Sequence, residues 1–256
     1  MPNFTKHDPG TFCWFELATT NQPSAKSFYS SLFGWTANDS PIGPSEMYTM
    51  FQQDGNTLAA AYTMREAEAA MAPPHWNLYV AVTSADDSAK RAAELGGNVI
   101  AGPFDVMTAG RMAVIQDPTG AFFAIWQAGN TAGVGVKHEN GAVCWADLSS
   151  PDPARAQQFY EALFGWNIGP APGTPPDYLI VQQDGQRMAG IGPMRQPGVP
   201  PHWGLFFMHA DVDAAAAKAK ELGGQELMPP ATMGPTRLAV LADPQGAVFS
   251  IIRPPQ

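Results

Sequence analysis

The sequence predicts an α+β fold in which two homologous domains follow one another along the chain. The first observation is an internal repeat, because FYSSLFGW (28–35) returns as FYEALFGW (159–166). The second is the order of patterns within each copy, where short β-rich runs precede and follow Ala-rich helical segments. The third is the density of turn residues, since Gly and Pro each number 25 among 256 residues.

The repeat extends well beyond this one motif. The other matching pairs, in chain order, are CWFEL and CWADL, QQDG and QQDG, PPHW and PPHW, ELGG and ELGG, and DPTGAFFAI and DPQGAVFSI. The spacing between the copies drifts where Pro and Gly are dense, as expected when insertions are confined to loops. A period this long indicates duplicated domains rather than a solenoid. We assign 10–128 to the first domain and 139–254 to the second, with the Gly-rich segment 127–142 as linker.

The first half of each domain reads as a strand, a helix and further short strands. In the first domain the apolar run 12–18 predicts the opening strand. Thr20 or Asn21 can cap the helix that follows, and Pro23 suits its first turn. Gly34 suits the left-handed position at its end. The runs MYTMFQ and TLAAAY then predict strands.

The second half of each domain repeats this order. WNLYVAV predicts a strand, Ser84 or Asp86 can cap the next helix, and LGG ends it. The runs NVIAG, RMAVIQ and AFFAIW predict the remaining strands of the first domain. The second domain follows with YLIVQQ, LFFMHA, a helix over 213–222, LAVLA and AVFSII.

The composition excludes several classes of partner. Charged residues make up only 14% of the chain and the net charge is −9, which argues against binding nucleic acid or an anionic membrane surface. No apolar run approaches the length of a membrane span, and the start MPNFTKHDPG lacks the pattern of a secretory signal. Cys13 and Cys144 occupy matching places in the two copies, which favours separate core thiols over a disulfide. We therefore expect a cytoplasmic protein without nucleic-acid or membrane partners.

In this order, and twice over, the motifs FYxxLFGW, ELGG and DPxG resemble those of the glyoxalase/bleomycin-resistance/extradiol-dioxygenase superfamily, also called vicinal oxygen chelate. The likeness covers nearly the whole chain. The two-domain layout is most similar to a branch of mycobacterial secreted antigens described as glyoxalase-like hydroxylases. The resemblance implies tandem vicinal-oxygen-chelate domains, whose four βαβββ modules form curled mixed sheets with helices outside and a ligand-binding cup inside.

The resemblance also implies where metal-bearing relatives hold their ion. Those positions, on the first and last strands of the modules, carry Glu16, Asn77, Ala124, Asp147, Gly204 and Ser250. One carboxylate per domain offers too few donors to hold a divalent ion, so we predict no metal and no other cofactor. A different site that uses His75 or His202 of PPHW stays open. The simpler interpretation is that each histidine bonds the backbone and supports the Trp beside it.

Strand alternation predicts which side chains line the cups. Glu16 and Asp147 are the candidate catalytic carboxylates. The predicted ligand-binding residues are Trp14, Asn77, Tyr79, Arg111, Phe122, Trp126, Trp145, Phe206, Arg237 and Ser250. Arg111 and Arg237 pair with the carboxylates, meet an anionic ligand, or lie on the surface at a strand end. The differences between the copies favour the first domain as the ligand site.

An aromatic, Met-bearing lining with one carboxylate suits a flat, largely apolar organic molecule with a polar or cationic group. The function we favour is binding of such a ligand without a catalytic metal. The alternative is a glyoxalase-type lyase, isomerase, oxygenase or hydroxylase-like enzyme that uses a metal or a carboxylate base. A third possibility is an interaction protein whose cups are filled by Trp14 and Trp145. Because the duplication supplies internally the pairing of two sheets, we expect a monomer or a homodimer.

Overall fold

The computed structural model describes residues 3–44 and 46–254 and contains two eight-stranded sheets, one from each copy of the repeat. The elements of the first copy are β1 (Phe12–Thr19), α1 (Gln22–Phe33), β2 (Thr36–Pro41), β3 (Met47–Gln53), β4 (Asn56–Thr63), α2 (Glu66–Ala69), β5 (His75–Ala81), α3 (Ala85–Glu94), β6 (Asn98–Val106), β7 (Gly110–Gln116) and β8 (Phe122–Ala128). The elements of the second copy are β9 (Val143–Ser150), α4 (Pro153–Phe164), β10 (Asn167–Gly169), β11 (Leu179–Gln183), β12 (Gln186–Pro193), β13 (His202–Met208), α5 (Val212–Glu221), β14 (Gln225–Met233), β15 (Thr236–Ala242) and β16 (Val248–Arg253).

Both sheets have the same strand order. It runs β2-β3-β4-β1-β5-β8-β7-β6 in the first copy and β10-β11-β12-β9-β13-β16-β15-β14 in the second. The central strands β1 and β5 are antiparallel, and each has a parallel neighbour on its outer side, β4 and β8. Each sheet therefore joins two strand–helix–strand modules through their first strands. The predicted α+β architecture of tandem domains with mixed sheets is confirmed.

The repeated helices α1 and α4 begin and end where their sequence indicates. The side chain of Asn21 accepts a hydrogen bond from the Ser24 amide, and Asp152 caps α4 in the same way. Gly34 and Gly165 end the helices in the left-handed conformation, with φ values of 75° and 71°. The glycine of FGW thus turns the chain so that the following tryptophan points back at the helix.

Two features differ from the sequence interpretation. Strand β2 was not located from the sequence, because all of its residues are exposed at the sheet edge and it has no apolar alternation. The linker 127–142 is more than a connection. Val134 and Val136 are fully buried, and the Val134 amide donates to the Cys13 carbonyl at 2.8 Å. The linker therefore packs into the core of the first copy, because its valines bury apolar surface there.

Within residues 3–44 and 46–254, no helix is long and apolar enough to cross a membrane. The thiols of Cys13 and Cys144 are free, and each lies 3.6 Å from a backbone carbonyl of the neighbouring strand. The expectation of two separate thiols is confirmed.

A buried hydrogen-bond chain joins the first copy to the second. Trp76 Nε1 donates to the Tyr29 hydroxyl at 3.1 Å, and that hydroxyl donates to Asp243 Oδ2 at 3.1 Å. Trp76 and Tyr29 belong to PPHW and FYxxLFGW of the first copy, whereas Asp243 belongs to DPxG of the second. All three residues are buried, so these hydrogen bonds lie in the interface between the copies.

The same series of hydrogen bonds runs in the opposite direction, from the second copy to the first. Trp203 Nε1 donates to the Tyr160 hydroxyl at 2.9 Å, which donates to Asp117 Oδ2 at 2.9 Å. The helices follow this pattern, since α1 packs against α5 and α3 against α4. The motifs therefore occur twice because each copy supplies the same members to a reciprocal, two-fold-like interface.

The tryptophans of FGW extend this interface. Trp35 Nε1 donates to the Gly141 carbonyl at 3.1 Å, and Trp166 Nε1 donates to the Gly10 carbonyl at 2.7 Å. Gly10 and Gly141 have φ values of 84° and 86°, which a residue with a side chain rarely adopts. Each copy thereby anchors the chain that enters the other copy's first strand.

We expect Tyr29→Phe and Tyr160→Phe to destabilise the protein by similar amounts, about 1–3 kcal/mol each. Each substitution removes one donor from a buried aspartate and the acceptor of a buried indole. Urea unfolding measures the change. Tyr62→Phe is the matched control, because its hydroxyl is half-buried and bonds within one copy, and it should cost less. Equal stability of all three variants and the parent chain would contradict the interface argument.

Candidate functional site

The candidate site lies on the face of each sheet that is opposite the helices. In the first sheet, Glu16 pairs with Asn77 on β5, and Trp14 pairs with Tyr79. Paired residues of neighbouring strands point to the same side, and Trp76, one residue away, contacts α1 on the other side. We call the helix-free face of the first sheet cup 1. Its lining residues are Trp14, Glu16, Tyr48, Met50, Tyr62, Asn77, Tyr79, Met112, Ala124 and Trp126.

A carboxyl group held by two phenols lies at the centre of cup 1. Glu16 Oε1 accepts a hydrogen bond from the Tyr48 hydroxyl at 2.5 Å, and Oε2 accepts one from the Tyr79 hydroxyl at 2.7 Å. Trp14 Nε1 donates to the Tyr48 oxygen at 3.0 Å. Glu16 is only 8% exposed, so these phenols replace most of its water.

Burial dominates the electrostatics of this group. Desolvation raises the pKa of Glu16, the hydrogen bonds from Tyr48 and Tyr79 oppose the rise, and the nearby Glu68 adds to it. Burial and the carboxyl group also raise the pKa of Tyr48 and of Tyr79 well above 10, so both phenols remain donors. Glu68 itself lies on α2 and accepts a hydrogen bond from Tyr62. Cup 1 therefore holds an acid that ionises reluctantly among neutral donors.

The second sheet repeats this arrangement on its own helix-free face, which we call cup 2. Asp147 Oδ1 accepts hydrogen bonds from the Tyr178 hydroxyl at 2.5 Å and from Trp145 Nε1 at 2.7 Å. A Cβ atom on Gly190 would lie 1.8 Å from the Tyr178 hydroxyl, so glycine is required there for the phenol to reach the carboxyl group. Burial raises the pKa of Asp147, and the hydrogen bonds from Tyr178, Trp145 and the Gly190 backbone lower it in part. The lining residues of cup 2 are Trp145, Asp147, Tyr178, Ile180, Met188, Gly190, Gly192, Gly204, Phe206, Leu238, Val240, Val248 and Ser250.

The other predicted lining residues take different places. The register puts Phe206 beside Trp145 in cup 2, with Ser250 beside it on the next strand. Phe122 lies at the end of β8 and is 49% exposed. Trp126 faces cup 1 and is buried, but its indole N–H donates to the Thr131 carbonyl at 2.9 Å. Phe122 and Phe206 therefore offer apolar surface, and Ser250 adds a hydroxyl group.

Arg111 and Arg237 do not pair with the central carboxylates, which was one of the three alternatives open from the sequence. Arg111 binds Asp86 at 2.8 Å and Asp105 at 2.9 Å, and Arg237 binds Asp213 at 2.5 Å. Both arginines alternate with cup residues along their strands, so they point to the helix side of the sheet. Carboxylates in the first turns of α3 and α5 hold them there.

The histidines of PPHW act as the simpler interpretation expects. Nδ1 of His75 bonds the Pro73 carbonyl at 2.8 Å, and Nδ1 of His202 bonds the Pro200 carbonyl at 2.8 Å. Each ring therefore fixes the turn before its strand, next to the tryptophan of the interface.

Sequence reasoning placed Tyr79 in the cup but missed Tyr48 and Tyr178, the other phenols that hold the two carboxyl groups. Tyr48 could have been assigned, because alternation along MYTMFQ puts it on the same face as Met50. Tyr178 gave the same signal, since it opens the run YLIVQQ and corresponds to Tyr48 in the repeat, although it lies just before β11 in the structure. The contact between Tyr62 and Glu68 had no such signal, because it joins a strand end to the short helix α2.

The donor set of each cup does not fit a divalent ion. Both oxygens of Glu16 accept hydrogen bonds from tyrosines, and the adjacent positions of the sheet carry Ala60 and Asn77. Asp147 has Gly190 and Gly204 beside it. Across residues 3–44 and 46–254, no three His, Cys, Asp or Glu side chains are grouped as a metal site requires.

Comparison with known families assigns both halves of the chain. Residues 11–125 match the model of the Glyoxalase/Bleomycin resistance protein/Dioxygenase superfamily. Residues 143–252 match the model of a Glyoxalase-like domain. Each match covers one of the two sheets.

Similar proteins extend along the whole chain. The chain is 39% identical to "Putative glyoxylase CFP32" of Mycobacterium tuberculosis over 259 residues, which covers 99% of this chain and 98% of that protein. It is 35% identical to "Anthracycline biosynthesis protein DauV" of Streptomyces sp. (strain C5), with 97% and 94% covered. It is 34% identical to "Anthracycline biosynthesis protein DnrV" of Streptomyces peucetius, again with 97% and 94% covered.

Solved structures share the fold at low sequence identity. The Mn(II)-bound glyoxalase from Novosphingobium aromaticivorans has a TM-score of 0.67 at 14% identity, and covers 95% of this chain and 82% of its own. The 2,3-dioxygenase LapB from Pseudomonas sp. KL28 has a TM-score of 0.65 at 12% identity, with 96% and 92% covered. At such identities the likeness shows a common fold.

We expect the stability of the protein to fall as the pH rises above the ordinary range of carboxyl groups. Because folding raises the pKa of Glu16 and Asp147, their contribution to stability is complete below the pKa of the unfolded chain. It is lost as the pH rises through the raised pKa of the folded protein. Glu16→Gln and Asp147→Asn should reduce this fall in urea unfolding measured against pH. Glu66→Gln, at an exposed position of α2, is the control, and an unchanged slope in the first two variants would contradict the assignment.

Proposed function

This chain belongs to the glyoxalase/bleomycin resistance protein/dioxygenase superfamily, and from that premise we propose that it binds a small, largely apolar organic ligand in a β cup without a catalytic metal. The observation that carries the proposal is the environment of the central carboxyl groups. Tyrosine and tryptophan donors surround them where a metal site would need further carboxylates or histidines.

The remaining lining of the cups supports a flat, aromatic ligand. Trp14 and Trp145 occupy the same position in the two copies, beside Tyr79 and Phe206 respectively. Large rings on a sheet offer stacking surface to a planar molecule, and the carboxyl group at the centre fixes its orientation by a hydrogen bond. Arg111 and Arg237 contribute nothing to either cup, so an anionic ligand is disfavoured.

The relatives support the same class of ligand. Two of them carry names that refer to anthracycline biosynthesis and align with nearly the whole of this chain. Anthracyclines are fused-ring aromatic compounds, which is the shape that the aromatic linings favour.

We expect planar aromatic compounds to quench the tryptophan fluorescence of the protein and to raise its melting temperature. The panel comprises 1,4-dihydroxyanthraquinone, 1,4-naphthoquinone and 2-naphthol, with decanol as the non-aromatic control. Affinity should be unchanged by dialysis against a chelator, because no step of binding uses a metal. Failure of every aromatic compound to bind would count against the proposal. So would near-stoichiometric Mn, Fe, Ni or Zn, measured in untagged protein, whose removal abolishes binding.

The raised pKa of the central carboxyl groups favours a second candidate, which is proton transfer without a metal. An ionised Glu16 or Asp147 could remove a proton from a carbon next to a ligand carbonyl, because a desolvated carboxylate is a stronger base. Tyr48 and Tyr178 would then stabilise the oxyanion that forms on the ligand, since both phenols remain neutral donors. The reaction class is that of an isomerase or a lyase.

This second candidate has its own test. In deuterated buffer, an active protein should exchange a carbon-bound proton of a bound ketone ligand, as measured by NMR. Glu16→Gln or Asp147→Asn should abolish the exchange even where the ligand still binds. Binding without exchange in the parent chain would leave the first proposal in place and exclude the second.

A further inference from the structure

Resting on the proposed binding function, we infer that the ligand is held in cup 2, where an aromatic hydroxyl group of the ligand donates a hydrogen bond to Asp147 Oδ2. This reverses the preference for the first domain that the sequence suggested. It also names the ligand class, which is a planar aromatic compound with at least one hydroxyl group.

The first step is the hydrogen bonding of the two carboxyl groups. In cup 1 both oxygens of Glu16 are taken, one by Tyr48 and the other by Tyr79. In cup 2 both side-chain donors, Tyr178 and Trp145, bond the same oxygen, Oδ1 of Asp147. The Gly190 backbone also hydrogen-bonds this carboxyl group. Throughout the part of the chain that the structure describes, no side chain donates to Oδ2. The second oxygen therefore has a side-chain donor in cup 1 and is open to one in cup 2.

The second step is the cause of this difference. Tyr79 pairs with Trp14 in the first sheet, and Phe206 pairs with Trp145 in the second, so the two residues occupy equivalent places. Phe206 keeps the ring and lacks the hydroxyl group. An aromatic hydroxyl from a ligand would restore to Asp147 the hydrogen bond that Tyr79 supplies to Glu16.

The third step is space for the ligand beside Asp147. Gly204 stands in cup 2 where Asn77 stands in cup 1, directly opposite the carboxyl-bearing residue. A Cβ atom added to Gly204 would meet nothing closer than the Asp147 carbonyl oxygen, at 3.8 Å. The floor of cup 2 is therefore bare backbone next to the open acceptor, and a ring can approach it closely.

The fourth step is a second polar group in the same cup. Ser250 takes the place of Ala124, since Phe206 pairs with Ser250 as Tyr79 pairs with Ala124. Ser250 is 7% exposed and lies beside Phe206 on the cup face of β16. It can bond a further oxygen of the ligand, such as a quinone carbonyl.

The test compares 1,4-dihydroxyanthraquinone with 1,4-dimethoxyanthraquinone, which has the same ring system without a hydroxyl donor. The parent chain should bind the dihydroxy compound about tenfold more tightly, as one hydrogen bond to a charged or strongly polar group provides. Phe206→Tyr places a hydroxyl group where the ligand's would lie, and should remove that preference. Phe104→Tyr adds the same hydroxyl group to an exposed ring on β6, and should bind as the parent chain does.

A second variant tests the same hydrogen bond in case Phe206→Tyr does not fold. Asp147→Asn keeps one acceptor oxygen and replaces the other by an NH₂ group, so it should also lose the preference for the dihydroxy compound. The thermal unfolding of each variant is measured to confirm that it folds.

The outcomes separate this inference from the proposed function. Loss of binding in Glu16→Gln, with full binding in Phe206→Tyr and Asp147→Asn, would place the ligand in cup 1 and overturn the inference, while the binding function would stand. Equal affinity for the two anthraquinones in the parent chain would overturn the role of the hydroxyl group. If no member of the aromatic panel binds the parent chain, both proposals fail.

Discussion

The hydrogen bond from a tyrosine of each copy to a buried aspartate of the other is the constraint on which the rest of the structure depends. Asp243 and Asp117 are almost fully buried, so they need donors from the protein, and Tyr29 and Tyr160 supply them across the interface. Trp76, which supports Tyr29, lies on β5 immediately before Asn77. Because side chains alternate along a strand, one face of β5 holds the two copies together while its other face lines cup 1.

This division explains why some parts of the repeat agree and others differ. The interface motifs are matched in both copies because each interaction is made twice, and a change in one copy would leave a buried group of the other unpaired. No such reciprocity links the two cups. Tyr79 corresponds to Phe206 and Asn77 to Gly204, so the cups differ in hydrogen bonding and in space. The two copies thus share the scaffold and differ in their cups.

Both cups contain a single desolvated carboxyl group among phenols and indoles. Burial makes such a group costly to ionise, and hydrogen bonds from tyrosine and tryptophan recover part of that cost. These donors occupy both oxygens of Glu16 in cup 1, and Oδ1 of Asp147 in cup 2. This arrangement is the basis on which we propose recognition of an aromatic molecule, with proton transfer as the second candidate.

The sequence by itself determined the duplication, most of the elements and the direction of Glu16 and Asp147, because repeated motifs and the two-residue period of a strand are local properties. It also identified the helix end at Gly34, where local backbone conformation decides. Only the tertiary structure decided which side chains form hydrogen bonds and ion pairs with one another. Tyr29 and Asp243 are 214 residues apart in the chain. Arg111 pairs with Asp86 of a neighbouring helix and not with Glu16. Alternation tells on which face a side chain lies, but its partner depends on how distant segments pack against one another.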